Sequence, residues 1–228
     1  MSVYLLDEEE IWFPPSHEYE FDLVAVGGTL TPERVLKAYS MGIFPWYNEP
    51  DMPEWFCPVE RCVFYPDTFI PSKSLQQAAR KQKWTYTTDK CFCDVIKHCA
   101  GNGREGNTWI LPDIISCYQK LHELGYAHSV EVWRGDELIG GLYGMAIGNI
   151  FCGESMFSKE SNASKFAFWK LAEIADSLNY SLIDAQLENA HLMSMGASLI
   201  GRNEYLELLE ASIMDNGLKG RWRDVNSL

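Results

Sequence analysis

The sequence predicts an α/β (α+β) fold, a mixed β-sheet flanked by helices, and three observations lead to it. Over residues 128–156 the apolar period is two, broken only at Arg134-Gly135-Asp136 and Gly148-Asn149, which reads as three consecutive antiparallel strands. Between Asn162 and Met214 a helix, a strand and two further helices follow, the alternation that lays helices against a sheet. A chain of 228 residues, 46% of them hydrophobic, is large enough for one domain, or for one domain with a small lobe.

Residues 1–23 mix acids with aromatics and two prolines and read as an extended arm, and Gly27-Gly28 marks a turn. Thr31 caps a helix with Pro32 and Glu33 in its first turn, Val35, Leu36 and Tyr39 on one face, and Gly42 as its stop. Residues 42–58 are rich in Trp, Phe and Pro, too irregular for a strand or helix and too apolar for a solvated linker, so a packed loop is expected. Residues 63–65 form a short strand, residues 72–81 a helix with a basic end, and residues 84–88 a strand of β-branched and aromatic side chains. Asp89 is expected to cap a helix running to about His98. Residues 101–108 are a polar loop, and Pro112 opens a helix that stops at Gly125. Strands at 128–133, 138–147 and 150–156 precede a helix over 165–178 that Asn162 begins. A strand at 181–187, a helix near His191 and a helix over 203–214 complete the chain.

Composition removes several function classes. Net charge is −13, from 19 basic and 32 acidic residues, so the whole surface does not coat nucleic acid and any such contact is local. No run of eighteen apolar residues occurs, and the first residues lack the basic and apolar regions of a secretory signal, which together predict a cytoplasmic location and no membrane partner. Seven cysteines, an odd number, are expected to be reduced thiols. A metal site from Cys91, Cys93, His98 and Cys99 is disfavoured, because Cys91 and Cys93 point about 200° apart on a helix and zinc-type spacing is absent. Phosphate-binding loops, dinucleotide fingerprints and the serine-hydrolase elbow are absent as well.

Few residues remain to carry chemistry. In Leu182-Ile183-Asp184-Ala185-Gln186-Leu187, strand alternation puts Asp184 and Gln186 on one face and Ile183, Ala185 and Leu187 on the other. A carboxylate beside an amide can hold a nucleophile or a carbonyl, or can simply end an edge strand. Glu154 interrupts an apolar strand, where a buried acid needs a partner or an upward-shifted pKa; it could orient an amine or pair with a cation. Trp46 and Trp109 sit in loops, as core lids or as stacking platforms for a base. His128 is read as structural.

The strings GGTLTPERVLKAYSMGIFPWY, GNTWILPDIISCYQKLHELGYAHSVEVW, GGLYGMAIGNIFCGESMFSKESNASK and LIDAQLENAHLMSMGASLIGRNEYLELL resemble, in order, the conserved blocks of leucyl/phenylalanyl-tRNA–protein transferases, from about Val24 to about Leu209. The resemblance implies a small N-terminal lobe over residues 1–60 and an acetyltransferase-like (GNAT) catalytic domain over 61–228. It implies transfer of Leu or Phe from aminoacyl-tRNA to acceptor proteins with N-terminal Arg or Lys, and an apolar, unbranched-tolerant pocket would take Met as well. That transfer marks them for degradation by the N-end rule, with no metal or organic cofactor; the protein itself is expected to be a monomer. It puts Asp184 and Gln186 at the reaction centre, Trp46 and Trp109 near the 3′-terminal adenosine, and Leu142, Phe151, Glu154 and Ile183 around the amino-acid pocket. A basic patch of Lys73, Arg80, Lys81 and Lys83 is the expected tRNA contact, since Lys73, Arg80 and Lys81 recur at about two helical turns. Two positions depart from the family pattern: Ala185, where Cys is usual, and Gly201, where Pro is usual. A CoA-dependent acyltransferase of the same fold would need a Gly-rich turn before the long helix, and SKESNASK has none. A non-catalytic adaptor that recognises N-termini would have no use for Asp184 and Gln186.

Overall fold

The computed structural model describes residues 3–47, 52–101, 108–219 and 222. Residues 48–51 of the expected 42–58 loop and 102–107 of the expected 101–108 loop lie outside them.

The N-terminal part builds its own small sheet. Strands β1 (Tyr4–Leu6), β2 (Leu23–Gly27), β3 (Phe44–Pro45) and β4 (Glu54–Phe56) pair in the order β1-β2-β4-β3. The arm is therefore partly a strand, lying parallel to β2. The segment 42–58 is not the strandless loop expected, because Phe44 and Pro45 pair with Phe56 and Trp55. Proline is tolerated in β3 since that strand has a neighbour on one side only. Helix α1 (Pro32–Tyr39) begins as expected: the Thr31 hydroxyl accepts from the Arg34 N–H at 3.2 Å.

The rest of the chain supplies β5 (Glu60–Phe64), α2 (Lys73–Gln82), β6 (Thr85–Thr88), α3 (Phe92–Gly101), α4 (Pro112–Glu123), β7 (Ala127–Arg134), β8 (Glu137–Ile147), β9 (Ile150–Ser158), α5 (Ala163–Ser177), β10 (Leu182–Gln186), α6 (Ala190–Ser194), β11 (Ser198–Gly201) and α7 (Arg202–Asn216). Seven strands form one mixed sheet in the order β11-β5-β10-β9-β8-β7-β6. Its pairs are antiparallel except β9–β10, which the crossover helix α5 makes parallel. One face buries Tyr143, Met145, Cys152 and Leu182 against α1, α3, α4, α7 and the small sheet. The other buries Leu142, Phe151 and Ile183 against α2 and α5. The mixed sheet flanked by helices is the fold class the sequence predicts. Among the described residues no helix is long and apolar enough to cross a membrane.

One local expectation fails for a physical reason, and one strand was not expected. Asp89 does not cap α3; its backbone is left-handed (φ 56°) and its carboxylate turns away to the Ser129 N–H (2.9 Å), His128 Nδ1 (2.8 Å) and the Trp222 indole N–H (3.2 Å). The buried Glu131 instead receives the Cys91 N–H at the start of α3, at 3.4 Å. Strand β11 is too short to show alternation, and its pairing with β5 defines it. Gly201, which precedes α7, has φ −67°, the value a proline ring would impose, so the glycine preserves the local backbone course.

Candidate active site

Two bulges lie side by side where the parallel strands part. Along β8–β9 the register passes from Tyr143↔Ser155 to Gly144↔Gly153, so Glu154 is the additional residue. Along β10–β5 it passes from Asp184↔Val63 to Gln186↔Cys62, so Ala185 is the additional residue. Pairing of β9 with β10 ends at Cys152↔Asp184, while β9 runs on to Ser158. A cavity of about 340 Å³ opens beyond that point, walled by Glu154, Ile183, Gln186, Leu142, Leu171 and Trp109 among others. Gly144 makes the β9 bulge possible: a Cβ there would strike the Cys152 carbonyl and the Phe151 ring.

Asp184 has 0% exposure, and its carboxylate is surrounded by donors. Oδ1 accepts from Arg61 Nε at 2.8 Å and from the Gln186 backbone N–H at 2.8 Å. Oδ2 accepts from Arg61 Nη2 at 2.6 Å and from the Tyr205 hydroxyl at 2.9 Å. Arg61, itself 1% exposed, also donates to the Gly42 carbonyl at 3.1 Å and lies over the Phe44 and Tyr205 rings. A carboxylate buried with a bidentate partner and two hydrogen bonds on each oxygen has no lone pair left for a further contact.

The bulge alters the alternation expected here. Gln186 takes a left-handed backbone (φ 64°), and Leu187, expected on the face of Ile183 and Ala185, packs with the opposite core. Gln186 thus reaches the cavity wall with Asp184 fastening its backbone. Its side-chain amide donates to Glu154 Oε1 at 3.0 Å.

Glu154 is half-buried and meets neutral donors. Tyr39 donates to Oε1, Tyr118 donates to Oε2 at 3.2 Å, and the two hydroxyls are 2.9 Å apart. Burial pushes the carboxyl up to about 7, opposed by the Tyr39 hydrogen bond, with the Asp184 charge adding to the rise. The salt bridge weighed from the sequence is not formed among the described residues.

The other residues singled out in the sequence divide into two groups. Leu142, Ile183 and Trp109 border the cavity. Phe151 does not; it has 0% exposure and packs on Trp222, with ring centroids 4.9 Å apart. Trp46 is 41% exposed, packs edge-on against Phe56 and is not part of the cavity wall. Lys73, Arg80 and Lys81 line one surface groove with Gln76 and Gln77, and the exposed Lys83 caps the helix in a left-handed conformation. Arg61, Tyr205, Tyr39 and Tyr118 were not singled out as site residues in the sequence, and Tyr39 was read only as part of the apolar face of its helix. Arg61 had a readable signal, a lone cation in the apolar run Cys62-Val63-Phe64; the tyrosines had none.

The sequence matches the leucyl/phenylalanyl-tRNA protein transferase family over residues 63–210, and the N-terminal domain of the same family over residues 28–59. Curated relatives named leucyl/phenylalanyl-tRNA–protein transferase include that of Aliivibrio fischeri, 50% identical over 82% of this chain and 79% of the relative. The one from Syntrophobacter fumaroxidans is 47% identical over 93% of this chain and 92% of its own. The one from Shewanella piezotolerans is 47% identical over 92% and 90% respectively. A chain matched over most of its length at this identity, with a cavity at its strand divergence, belongs to the leucyl/phenylalanyl-tRNA protein transferase family, a family of aminoacyltransferases that work between tRNA and protein.

Proposed function

We propose that this protein moves Leu or Phe, and also Met, from aminoacyl-tRNA to the N-terminal Arg or Lys of acceptor proteins, marking them for degradation by the N-end rule. The observation that carries this reading is the cavity where β9 and β10 part, apolar at Leu142, Ile183 and Leu171 and polar at Gln186 and Glu154. Such a site holds an apolar side chain by shape and an amine by hydrogen bonds. The aminoacyl ester is already activated, so the enzyme has to position the attacking amine, remove its proton and stabilise the oxyanion, without metal or organic cofactor.

Within this reading Gln186 holds the amine, and Asp184 serves the reaction by fixing Gln186 rather than by touching substrate. Trp109 is the better placed of the two tryptophans to border the 3′-terminal adenosine, since it lies on the cavity wall. The basic face of α2 (Lys73, Arg80, Lys81, with Lys83) is the tRNA contact, and the excess of acid elsewhere favours a basic acceptor terminus. Residues 1–60 act as a small lobe and 61–228 as an acetyltransferase-like catalytic domain, working as a cytoplasmic monomer.

The test is transfer of radiolabelled Leu from charged tRNA to a peptide beginning with Arg, beside the same peptide beginning with Ala. Transfer to the first and not the second is the expected result; no transfer to either would overturn the reading. The pocket should use Leu, Phe and Met and reject β-branched Ile and Val. One methylene is worth about 1–3 kcal/mol in such a pocket, so rejection has to come from a clash at Cβ. Equal use of Ile-tRNA and Leu-tRNA would disprove the shape argument.

A further inference from the structure

The attacking amine has to lose a proton, and the group that takes it must face the cavity with a lone pair to offer. Asp184 also lines the cavity but offers no lone pair: each oxygen already accepts two hydrogen bonds, and the residue has 0% exposure. Glu154 differs in three respects. The β9 bulge aims it into the cavity wall. No cation pairs with it among the described residues, so its lone pairs are not consumed by a salt bridge. Oε1 is occupied by Tyr39 and Gln186, whereas Oε2 accepts one hydrogen bond, the 3.2 Å contact from Tyr118, and keeps a lone pair.

We propose that Glu154, through Oε2, is the base that takes the proton from the attacking α-amine. The proposal rests on the aminoacyl transfer argued above. In the step, the amine nitrogen forms a bond to the ester carbonyl carbon and passes one proton to Oε2. The C–O bond to the tRNA ribose then breaks, and the leaving ribose oxygen receives that proton from Glu154. The products are the amide and a free ribose hydroxyl, and Glu154 returns to its starting form.

The surroundings suit a carboxyl that exchanges protons near neutrality. Tyr39 of α1 and Tyr118 of α4 donate to the anion, Gln186 of β10 donates from the third side, and Arg61 of β5 favours the charged form. Burial and the charge of Asp184 oppose ionisation and place its titration at about 7. A base works best when its pKa lies near the working pH, and the acceptor amine, at about 7.7–8.0 when free, is well matched to it.

The experiment measures single-turnover transfer between pH 5.5 and 8.5, with rates divided by the measured neutral fraction of the acceptor amine. Wild type, Glu154→Gln and Glu154→Asp are compared, and binding of a non-hydrolysable leucyl-adenosine amide is followed by calorimetry. Wild-type rates should rise through about 7 and level off. E154Q should be slower by about 10²–10⁴-fold with a flat profile and unchanged analogue affinity. E154D, which keeps a carboxylate, should be slow yet retain a rising limb, and it decides the matter if E154Q does not fold. Near-normal transfer by E154Q would overturn the assignment. So would a loss of rate matched by a loss of analogue affinity with the rising limb intact, which would make Glu154 a holder of the aminoacyl group. No transfer by wild type would overturn the underlying reading itself, and is told apart because every variant would then be silent.

Discussion

At the scale of single residues, the two carboxylates of the site sit at neighbouring bulges and have opposite characters. Asp184 is paired twice with Arg61, so removing it strands a guanidinium that is 1% exposed. Asp184→Ala should therefore lose most transfer activity and about 3–5 kcal/mol of stability, measured by urea unfolding, while its folded fraction still binds the leucyl-adenosine analogue. A fully stable, active Asp184→Ala protein would show that the buried pair matters to neither fold nor reaction. Glu154 has the reverse signature. Its folded pKa, about 7, lies above the ordinary 4.5, so the protonated form is favoured in the fold. The stability this brings is complete below about pH 4.5 and is lost as pH rises through about 7. A shift of that size corresponds to roughly 3 kcal/mol. Glu154→Gln cannot ionise, so its stability relative to wild type should grow between pH 5 and pH 8. A constant difference across that range would mean that Glu154 titrates normally in the fold.

At the scale of elements, what matters is where the strands stop pairing. The β9 bulge depends on Gly144, whose missing side chain leaves room for the Phe151 ring and the Cys152 carbonyl. Gly144→Ala should cost about 1–3 kcal/mol, as overpacked cores do, and should lower transfer by displacing Glu154 from Gln186. Thermal unfolding and a transfer assay check both parts; an unchanged melting temperature with full activity would contradict the packing. Helix α2 shows a second element-level effect. Ser72 caps it, accepting the Leu75 N–H at 3.2 Å, and its positions 73, 76, 77, 80 and 81 share one groove. Replacing Arg80, Lys81 and Lys83 together by Ala should sharply reduce transfer from full tRNA and spare transfer from a short CCA-ended donor. Equal losses with both donors, or none, would remove α2 from the tRNA contact.

At the scale of the whole molecule, the net charge of −13 limits how tRNA can be held. If α2 is the tRNA contact, few phosphates would be neutralised, so the affinity for tRNA should fall gently with salt, at a logarithmic slope of about 0.7–0.9 per phosphate contacted. Titrations over a range of salt concentrations would show this, and a steep slope would point to a basic surface larger than α2. The architecture also joins the N-terminal part to the site. The sheet buries both faces, the small N-terminal sheet packs into the same core as α3, α4 and α7, and Arg61 ties the Gly42 carbonyl of the N-terminal part to Asp184 and Tyr205.

The sequence by itself determined the elements whose signals are local. The hairpins of β7, β8 and β9 follow from period-two alternation and from turn residues between them. Helices α1, α2, α4 and α5 follow from Thr31, Ser72, Pro112 and Asn162 at their starts. The strings around Trp46, Glu154 and Asp184 also carried the family resemblance. The tertiary structure alone decided that β1, β3, β4 and β11 exist, since they are defined by their partners and are too short to show a period. It also decided which carboxylate has its oxygens saturated and which keeps a lone pair. Arg61 lies 123 residues from Asp184 and Tyr39 lies 115 from Glu154, and no local pattern links positions so far apart. A bulge compounds this, because one additional residue reverses the facing of the side chains beyond it, and alternation read from the sequence ends where the bulge begins.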